Sequence, residues 1–364
     1  MKPAPDRPAK SARRFLYGLA LLSLAAYLLA RVLAFGPAEE LGGRMLLAAK
    51  TMEQAGLALL ECRGAKGVAT DPLVDPNRTG LIGLERSPLT TSLGNLEAKR
   101  TTTNPDFAAL IVRLLDEARV RKGDAVAVGA SSSFPALIVA ALCAAKAMEV
   151  RPLIICSLGA SQFGANDPDF DWLDMMDCLN AARILDVRPV AVSAGGDADS
   201  GRDIDPETRA MLLERLSRRG DVFLDEPSLE NNVAARLRLY EQAAGDGGIR
   251  AFINIGGSWA NLGTDSRVLE VKPGLARVGS IPPRPRRGVL FEMARRGVPV
   301  IHLLFIKGLA DAYSLAWDPQ PLPKPGESPL YALPWENRSR LLVIGLGYLF
   351  FSGLFVLLKS RRYS

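Results

Sequence analysis

Three consecutive serines, Ser131, Ser132 and Ser133, stand where an apolar run gives way to an apolar helix. We expect Gly129 to let the chain turn off the strand, and Pro135 suits the first turn of the helix. Such a turn directs hydroxyls and backbone N–H groups into one space at the positive end of the helix dipole, which favours a carboxylate or phosphate. Serine is also a favoured helix cap. The turn therefore predicts either an anion cradle or a cap.

A catalytic interpretation compares this turn with the nucleophile elbow G-x-S-x-G. The second glycine of that motif is missing, and no H-G-G-G oxyanion motif precedes the turn. The order Ser131, Asp167, His302 nevertheless follows the Ser, Asp, His order of α/β-hydrolases. A single histidine at the end of a strand is also typical of a hydrogen-bonded core residue. The triad stays open as an alternative to the cradle.

Further ligand-binding candidates follow other predicted strands and should lie at the same edge of the sheet. Amide and carboxylate side chains can bond a ligand amide or ammonium group, and paired glycines let the backbone approach a ligand closely. The candidates are Gln162, Asn166, Asp167, Asn254, Gly256 and Gly257. The run Lys99-Arg100-Thr101-Thr102-Thr103 is a further candidate for contact with an anion.

We expect neither a metal ion nor a cofactor. The acidic residues Asp167, Asp169, Asp171, Asp174 and Asp177 lack the spacing of an EF-hand. The last three are better explained as the cap and solvated face of a helix, and a hard-cation site is the less favoured alternative. The chain has four cysteines, no C-x-x-C spacing and one histidine, so a Cys/His zinc site is not expected. Cys143 and Cys156 lie in apolar runs and are predicted to be buried thiols. Whether any cysteines pair stays open.

Helices and short β-branched strands alternate from residue 106 onward. Strands are predicted at 125–129, 152–157, 188–193, 221–224, 250–255 and 298–305, and helices at 106–120, 134–149, 171–185, 206–219, 229–244 and 288–296. This alternation predicts an α/β fold with a doubly wound, mostly parallel sheet that binds ligands at the carboxyl ends of its strands.

Two apolar segments, Phe15–Phe35 and Leu341–Leu358, have about the 20 residues that a helix needs to cross a bilayer. A signal peptide is the alternative for the first, but its apolar run is long and no clear A-x-A cleavage site follows. Residues 1–37 have a net charge of +5, residues 38–337 of −4 and residues 338–364 of +5. By the positive-inside rule, we expect both ends to face the cytoplasm and the domain to lie outside. A mildly acidic domain does not favour nucleic acid.

These segments give the predicted organisation of the chain. It comprises a basic cytoplasmic tail (1–14), a transmembrane helix (15–35), a helix with a loop-rich layer (38–105), the α/β domain (106–314), a Pro-rich tether (315–337), a second transmembrane helix (341–358) and a basic tail (359–364).

Five segments together resemble the motif set of the bacterial poly-γ-glutamate system proteins. They are VGASSSFPAL (128–137), SLGASQFGANDPDFDWLD (157–174), FINIGGS (252–258), GVPVIHLL (297–304) and DPQPLPKPGE (318–327). The resemblance covers about residues 41–326. Ser132 stands where the family often has glycine, so the resemblance favours Ser131 and Ser133 as the working hydroxyls.

The resemblance implies a process, the handling of a γ-linked glutamate polymer beside its membrane-bound synthase, and does not identify a reaction. The favoured hypothesis is an accessory membrane protein of capsule or exopolymer synthesis or export, which binds the polymer or the synthase subunits. The alternative is a periplasmic serine hydrolase or transferase acting on γ-glutamyl links. A purely structural scaffold is the third hypothesis, and it would leave the serine cluster unexplained.

Overall fold

A computed structural model describes residues 7–331 and 335–360 of the 364-residue chain. The helices in these ranges are α1 (Arg7–Ala30), α2 (Gly36–Ala65), α3 (Leu96–Thr102), α4 (Asp106–Glu117), α5 (Pro135–Met148), α6 (Trp172–Ala181), α7 (Pro206–Arg219), α8 (Leu229–Ala244), α9 (Trp259–Leu262), α10 (Val289–Arg295), α11 (Ile306–Tyr313) and α12 (Trp335–Ser360). The strands are β1 (Thr90–Ser92), β2 (Ala125–Ser131), β3 (Arg151–Ser157), β4 (Ala160–Ser161), β5 (Asn166–Asp167), β6 (Phe170–Asp171), β7 (Ala191–Ser193), β8 (Phe223–Leu224), β9 (Ile249–Ile255), β10 (Gly274–Ala276) and β11 (Val300–Leu303).

A seven-stranded sheet forms the centre of the fold, with the order β10-β11-β9-β2-β3-β7-β8. All neighbouring strands are parallel except β10, which runs antiparallel to β11. The chain moves outward from β2 through β3, β7 and β8, and then returns to β9 on the other side of β2. Ligands bind at such a reversal in open α/β sheets. The predicted α/β fold with a mostly parallel sheet is confirmed.

The central strands are apolar because both faces of the sheet are covered. Every residue of β2 is buried, and its β-branched Val126 and Val128 suit a pleated, enclosed surface. α5 is apolar almost all round and is correspondingly buried. It ends at Glu149, whose left-handed φ of 53° lets its N–H reach the last carbonyls of the helix. Apolar pattern and burial therefore agree along the elements that carry the serine turn.

The structure adds elements that periodicity did not indicate. The segment predicted as a loop-rich layer contains β1 and α3, and the short strand β10 closes one edge of the sheet. Asn95 caps α3 by accepting a hydrogen bond from the Ala98 N–H. Elements of two to seven residues carry too few periods of their apolar pattern to be recognised.

Residues 315–331, the larger part of the predicted Pro-rich tether, are attached to the α/β domain. Arg100 forms an ion pair with Asp318 at 2.5 Å, and the Tyr331 hydroxyl donates to Asp106 at 2.8 Å. These contacts attach the segment to one compact unit, Arg44–Tyr331. Residues 332–334, also assigned to the tether, lie outside the described residues, as do residues 1–6 and 361–364 of the two predicted basic tails.

α1 and α12 belong to a second compact unit and are the two long apolar helices expected from the sequence. Their segments Arg13–Leu33 and Ser339–Leu358 are each long and apolar enough to cross a membrane. The two helices contact each other: the rings of Phe15 and Phe355 stack at 5.4 Å, and Gly18 leaves room for the Phe355 ring. Apolar side chains on both helices are exposed, as in helices that meet lipid.

Candidate functional site

A pocket of about 470 Å³ lies at the carboxyl ends of the sheet strands. Its lining includes six serines, which come from the ends of β1, β2, β3 and β4 and from the loops beyond β2 and β9: Ser92, Ser131, Ser133, Ser157, Ser161 and Ser258. We call it the serine pocket. Asp197, Asp203 and Trp259 line other parts of it. The pocket is adjacent to the β2–β9 reversal, where the doubly wound topology predicts a ligand.

The serines of the turn are not the cap of α5. Phe134 is the N-cap residue, and no side chain makes a cap hydrogen bond there. Ser131 Oγ instead donates to Ser133 Oγ at 2.9 Å and accepts from the Ser133 N–H at 3.2 Å. Ser133 Oγ also accepts from the Ser161 N–H at 2.9 Å. The geometry therefore excludes the cap interpretation of the turn.

Ser132 does not line the pocket. It is fully buried, its N–H donates to the Ser157 carbonyl at 3.0 Å, and its carbonyl accepts from the Ala165 N–H at 2.8 Å. Its hydroxyl lies 3.5 Å from Cys156 Sγ. Ser132 thus joins the turn to the neighbouring strand and loop, while Ser131 and Ser133 face the pocket.

Gly129 does not turn the chain, because β2 continues through Ser131. A Cβ at Gly129 would lie 2.5 Å from the side-chain oxygen of Asn261. Asn261 is fully buried beside the strand. The glycine therefore makes room for this side chain, which corrects the role expected from the sequence.

Lys99 lies directly behind the serines. It is only 2% exposed, and its ammonium donates to the Ser133 carbonyl and, at 2.7 Å, to Ser161 Oγ. Nζ also lies 3.7 Å from the centre of the Phe134 ring, within cation–π range. Burial lowers the pKa of Lys99 from 10.5 to about 7. The sequence singled out Lys99 within a basic, hydroxyl-rich run, but it could not show which serines the ammonium meets.

A buried charge pair holds Ser157, the pocket serine at the end of β3. Arg236 and Asp199 are both fully buried and pair at 2.5 Å. Ser157 Oγ donates to Asp199 at 2.6 Å and accepts from Arg236 at 3.2 Å. Asp199 and the preceding Ala198 have left-handed φ values of 62° and 48°, which cost energy in non-glycine residues. This network fixes Ser157, and no sequence signal marked Asp199 or Arg236.

The candidates Gln162, Asn166 and Asp167 hold loops together and do not line the serine pocket. Gln162 accepts from the Gly94 N–H at 3.1 Å. Asn166 is fully buried and exchanges two hydrogen bonds with the backbone of Leu84, at 2.8 and 2.9 Å. Asp167 forms an ion pair with buried Arg63 at 2.7 Å. In this structure these side chains thus have partners within the protein and stand outside the serine pocket.

Asn254 and His302 form a buried pair on adjacent strands, with Asn254 Nδ2 3.0 Å from His302 Nδ1. Burial lowers the pKa of His302 from 6.5 to about 4, so the ring is neutral at pH 7. Gly257 lines the pocket, whereas Gly256 has a φ of 75° and leaves room for Ser131. Of these candidates from the β9 and β11 ends, only Gly257 faces the pocket.

Ser131, Asp167 and His302 do not form a triad. His302 aligns with Asn254 and Gly129, so it lies two strands away from β2, at about 4.8 Å per strand. Asp167 is occupied by Arg63 and His302 by Asn254. No hydrogen bond between members of this set occurs in the described residues.

Asp171 and Asp174 have the capping role predicted for the acidic residues at the start of this helix. Asp171 accepts from the N–H groups of Leu173 and Asp174, and Asp174 completes a capping box. Arg215 contacts both carboxylates at 3.0 and 3.1 Å. Burial raises the pKa of Asp171 above its usual range. Among the described residues, no group of three or more His, Cys, Asp or Glu side chains is placed to hold a metal ion.

The cysteines divide into one pair and two thiols. Cys62 of α2 and Cys178 of α6 form a disulfide with a Cα–Cα distance of 6.1 Å. Cys143 and Cys156 are buried and free, as predicted, and burial raises the pKa of each to about 12. These two thiols are therefore inert near neutral pH.

The structure shows a mixed α/β domain with a serine-lined pocket, in a chain with two helices of membrane-spanning length. Comparisons with protein-family models, with curated proteins and with solved structures found no match.

Proposed function

We propose that this protein is a membrane-anchored accessory protein of poly-γ-glutamate synthesis or export, and that it binds the anionic polymer in the serine pocket. The observation that carries the proposal is the wall of hydroxyls in front of Lys99. A buried ammonium behind small hydroxyl groups provides positive potential and hydrogen-bond donors in one place.

The hydroxyl wall suits a carboxylate. Ser133 Oγ accepts hydrogen bonds from Ser131 Oγ and the Ser161 N–H, and Ser161 Oγ accepts one from Lys99. Each of these two hydroxyls therefore keeps its own proton for an acceptor in the pocket. A carboxylate placed there receives two hydroxyl donors above a buried cation.

The other side of the pocket has the opposite character. Asp197 and Asp203 are exposed and negatively charged, and they suit an amide N–H or an ammonium group. A γ-linked glutamate unit carries an α-carboxylate beside an amide N–H. This pairing of groups in the ligand matches the two sides of the pocket, and it agrees with the resemblance of the serine and GASQFGANDPDF segments to the poly-γ-glutamate system proteins.

The proposed location is the bacterial inner membrane, with both ends in the cytoplasm and the domain outside. The basic flanks and the two apolar helices support this topology. The Cys62–Cys178 disulfide supports an oxidising compartment for the domain. We propose the synthase subunits as protein partners and the lipid bilayer as the anchor, and the acidic domain gives no support to nucleic acid.

Polymer binding tests the proposal. Ser131→Ala/Ser133→Ala in the full chain, purified in detergent, removes hydroxyls from the wall. A lost hydrogen bond to a charged group costs about 1.5–3 kcal/mol, so the affinity for fluorescent γ-linked glutamate oligomers should fall at least about tenfold. Ser217→Ala, at an exposed position on α7, is the matched control. Unchanged affinity in the double variant, with the domain folded, rejects the cradle.

Reporter fusions test the topology. Alkaline phosphatase fused after Ala65 should be active and the same reporter at the C-terminus inactive, because only the first fusion is placed outside. The reverse pattern, or activity at both sites, rejects the two-span arrangement. Substituting α-linked for γ-linked oligomers in the binding assay tests the ligand class independently of topology.

A further inference from the structure

The arrangement of Lys99 differs from that of an ordinary structural lysine. Its described partners are a carbonyl, a hydroxyl and an aromatic ring, and no acidic side chain of the described chain pairs with it. A structural lysine is normally exposed or paired with an acid, because an unpaired buried ammonium is costly. With a pKa of about 7, Lys99 is present near neutral pH both as the ammonium and as the neutral amine, and the neutral amine is a proton acceptor.

Ser161 is the hydroxyl that such an acceptor could use. Its Oγ lies 2.7 Å from Lys99 Nζ, within the range for direct proton transfer, and the residue lines the pocket. Ser133 is less suited, because Lys99 contacts its backbone carbonyl and not its hydroxyl. Serine–lysine pairs are an established variant of serine nucleophile activation on unrelated folds.

We propose that Ser161 and Lys99 are a nucleophile and general base for acyl transfer from carboxamides in the serine pocket. The substrate class, γ-glutamyl amides, rests on the proposed function. The chemistry itself rests on the geometry of the pair.

The proposed reaction has two balanced steps. Lys99 accepts the hydroxyl proton of Ser161 while Oγ attacks the amide carbonyl carbon. The C–N bond breaks, the leaving nitrogen takes the proton from Lys99, and an ester on Ser161 remains. Water then attacks the ester, Lys99 accepts a proton from it, and that proton returns to Ser161 Oγ as the C–O ester bond breaks. The product is a carboxylic acid, or a new amide when an amine replaces water.

Labelling of the nucleophile tests the pair without the polymer. The full chain in detergent is incubated with a fluorophosphonate probe, and the modified peptide is identified by mass spectrometry. The expected label is on Ser161, absent in Ser161→Ala and reduced at least tenfold in Lys99→Met. Lys146→Met is the matched lysine control, because Lys146 is exposed and its side chain donates to the Ile184 carbonyl, away from the serine pocket.

The pH dependence of labelling gives a second measurement that does not depend on a variant folding. The rate for the wild-type chain should rise through a midpoint near pH 7 and then level off, because Lys99 must be neutral. The other charged groups of the pocket lining are Asp197 and Asp203. Absence of label on Ser161, a Lys99→Met rate equal to that of the wild type, or a rate proportional to hydroxide without a plateau overturns the proposal.

The assays separate the two proposals. Labelling that depends on Lys99, with no affinity for γ-linked oligomers, supports the acyl-transfer pair and rejects the polymer as ligand. Oligomer binding without labelling supports the binding function and rejects the pair. Release of shorter oligomers by the wild-type chain and not by Ser161→Ala supports both.

Discussion

Replacing Lys99 by methionine should stabilise the folded domain at neutral pH. The pKa of Lys99 is about 7 in the fold against 10.5 for the free side chain. At about 1.36 kcal/mol per pKa unit, the fold disfavours the ammonium by about 4 kcal/mol at pH 7. Methionine has a similar volume and no charge to bury. Loss of the bonds to Ser133 and Ser161 offsets part of the gain, at about 1 kcal/mol or more each, so the net gain is about 1–3 kcal/mol.

The pH dependence of that gain is a sharper test than its size. Because the pKa of Lys99 is depressed, its penalty is absent above pH 10.5 and grows as the pH falls towards 7. The wild type should therefore recover about 3 kcal/mol relative to Lys99→Met between pH 7 and pH 9.5. Urea unfolding of the full chain in detergent, followed by the fluorescence of buried Trp172, measures both quantities. A stability difference that is the same at both pH values refutes the argument, and Lys146→Met should show almost none.

Three further changes test other parts of the structure. Acidification from pH 7 to pH 4 should lower the free energy of unfolding of the wild type by about 3 kcal/mol more than that of His302→Gln. Burial lowers the pKa of His302 from 6.5 to about 4, so the unfolded chain takes up a proton over this range that the folded chain resists. Equal urea profiles of the two proteins would contradict this. Replacing both Cys62 and Cys178 by serine should lower the free energy of unfolding by about 2–5 kcal/mol, and an unchanged denaturation midpoint, or no cross-linked peptide in a non-reducing map, would count against the pairing. Gly129→Ala should destabilise the domain by about 1–3 kcal/mol, because the added methyl group would collide with Asn261. At Gly257 an added methyl group meets open space, so Gly257→Ala should shift thermal unfolding little. Similar effects at the two glycines would exclude the packing explanation.

The alternating part of the fold could be predicted because its signals are local. The strand predicted at 125–129 is β2, and the helix predicted at 206–219 has those limits in the structure. The sequence could likewise place the serine turn at the end of a strand. Burial of an entire strand or helix leaves a continuous apolar pattern that needs no knowledge of the tertiary contacts.

Most of the candidate site could not be predicted, because it depends on contacts between distant segments. Lys99 lies in α3, more than sixty residues before Ser161, and only the folded chain brings them together. Asp199 lies in a polar, glycine-containing segment without apolar periodicity, yet it is buried against Arg236. Asn166 and Asp167 carry polar groups that suit a ligand, but in the folded chain Asn166 bonds the Leu84 backbone and Asp167 pairs with Arg63. Side-chain type indicates what a residue can bind and does not indicate which partner reaches it.

The Cys62–Cys178 bond closes a covalent ring in the chain, spanning 116 residues. Lys99 and the serines at 131, 133, 157 and 161 all lie inside this ring. One peptide bond broken by a protease anywhere within it therefore opens the ring without separating the two pieces. The pocket walls and the amine behind them stay on one covalent molecule after a single nick. Exposed loops such as the one that carries Leu93, which is 81% exposed, can be cut in this way without loss of a fragment.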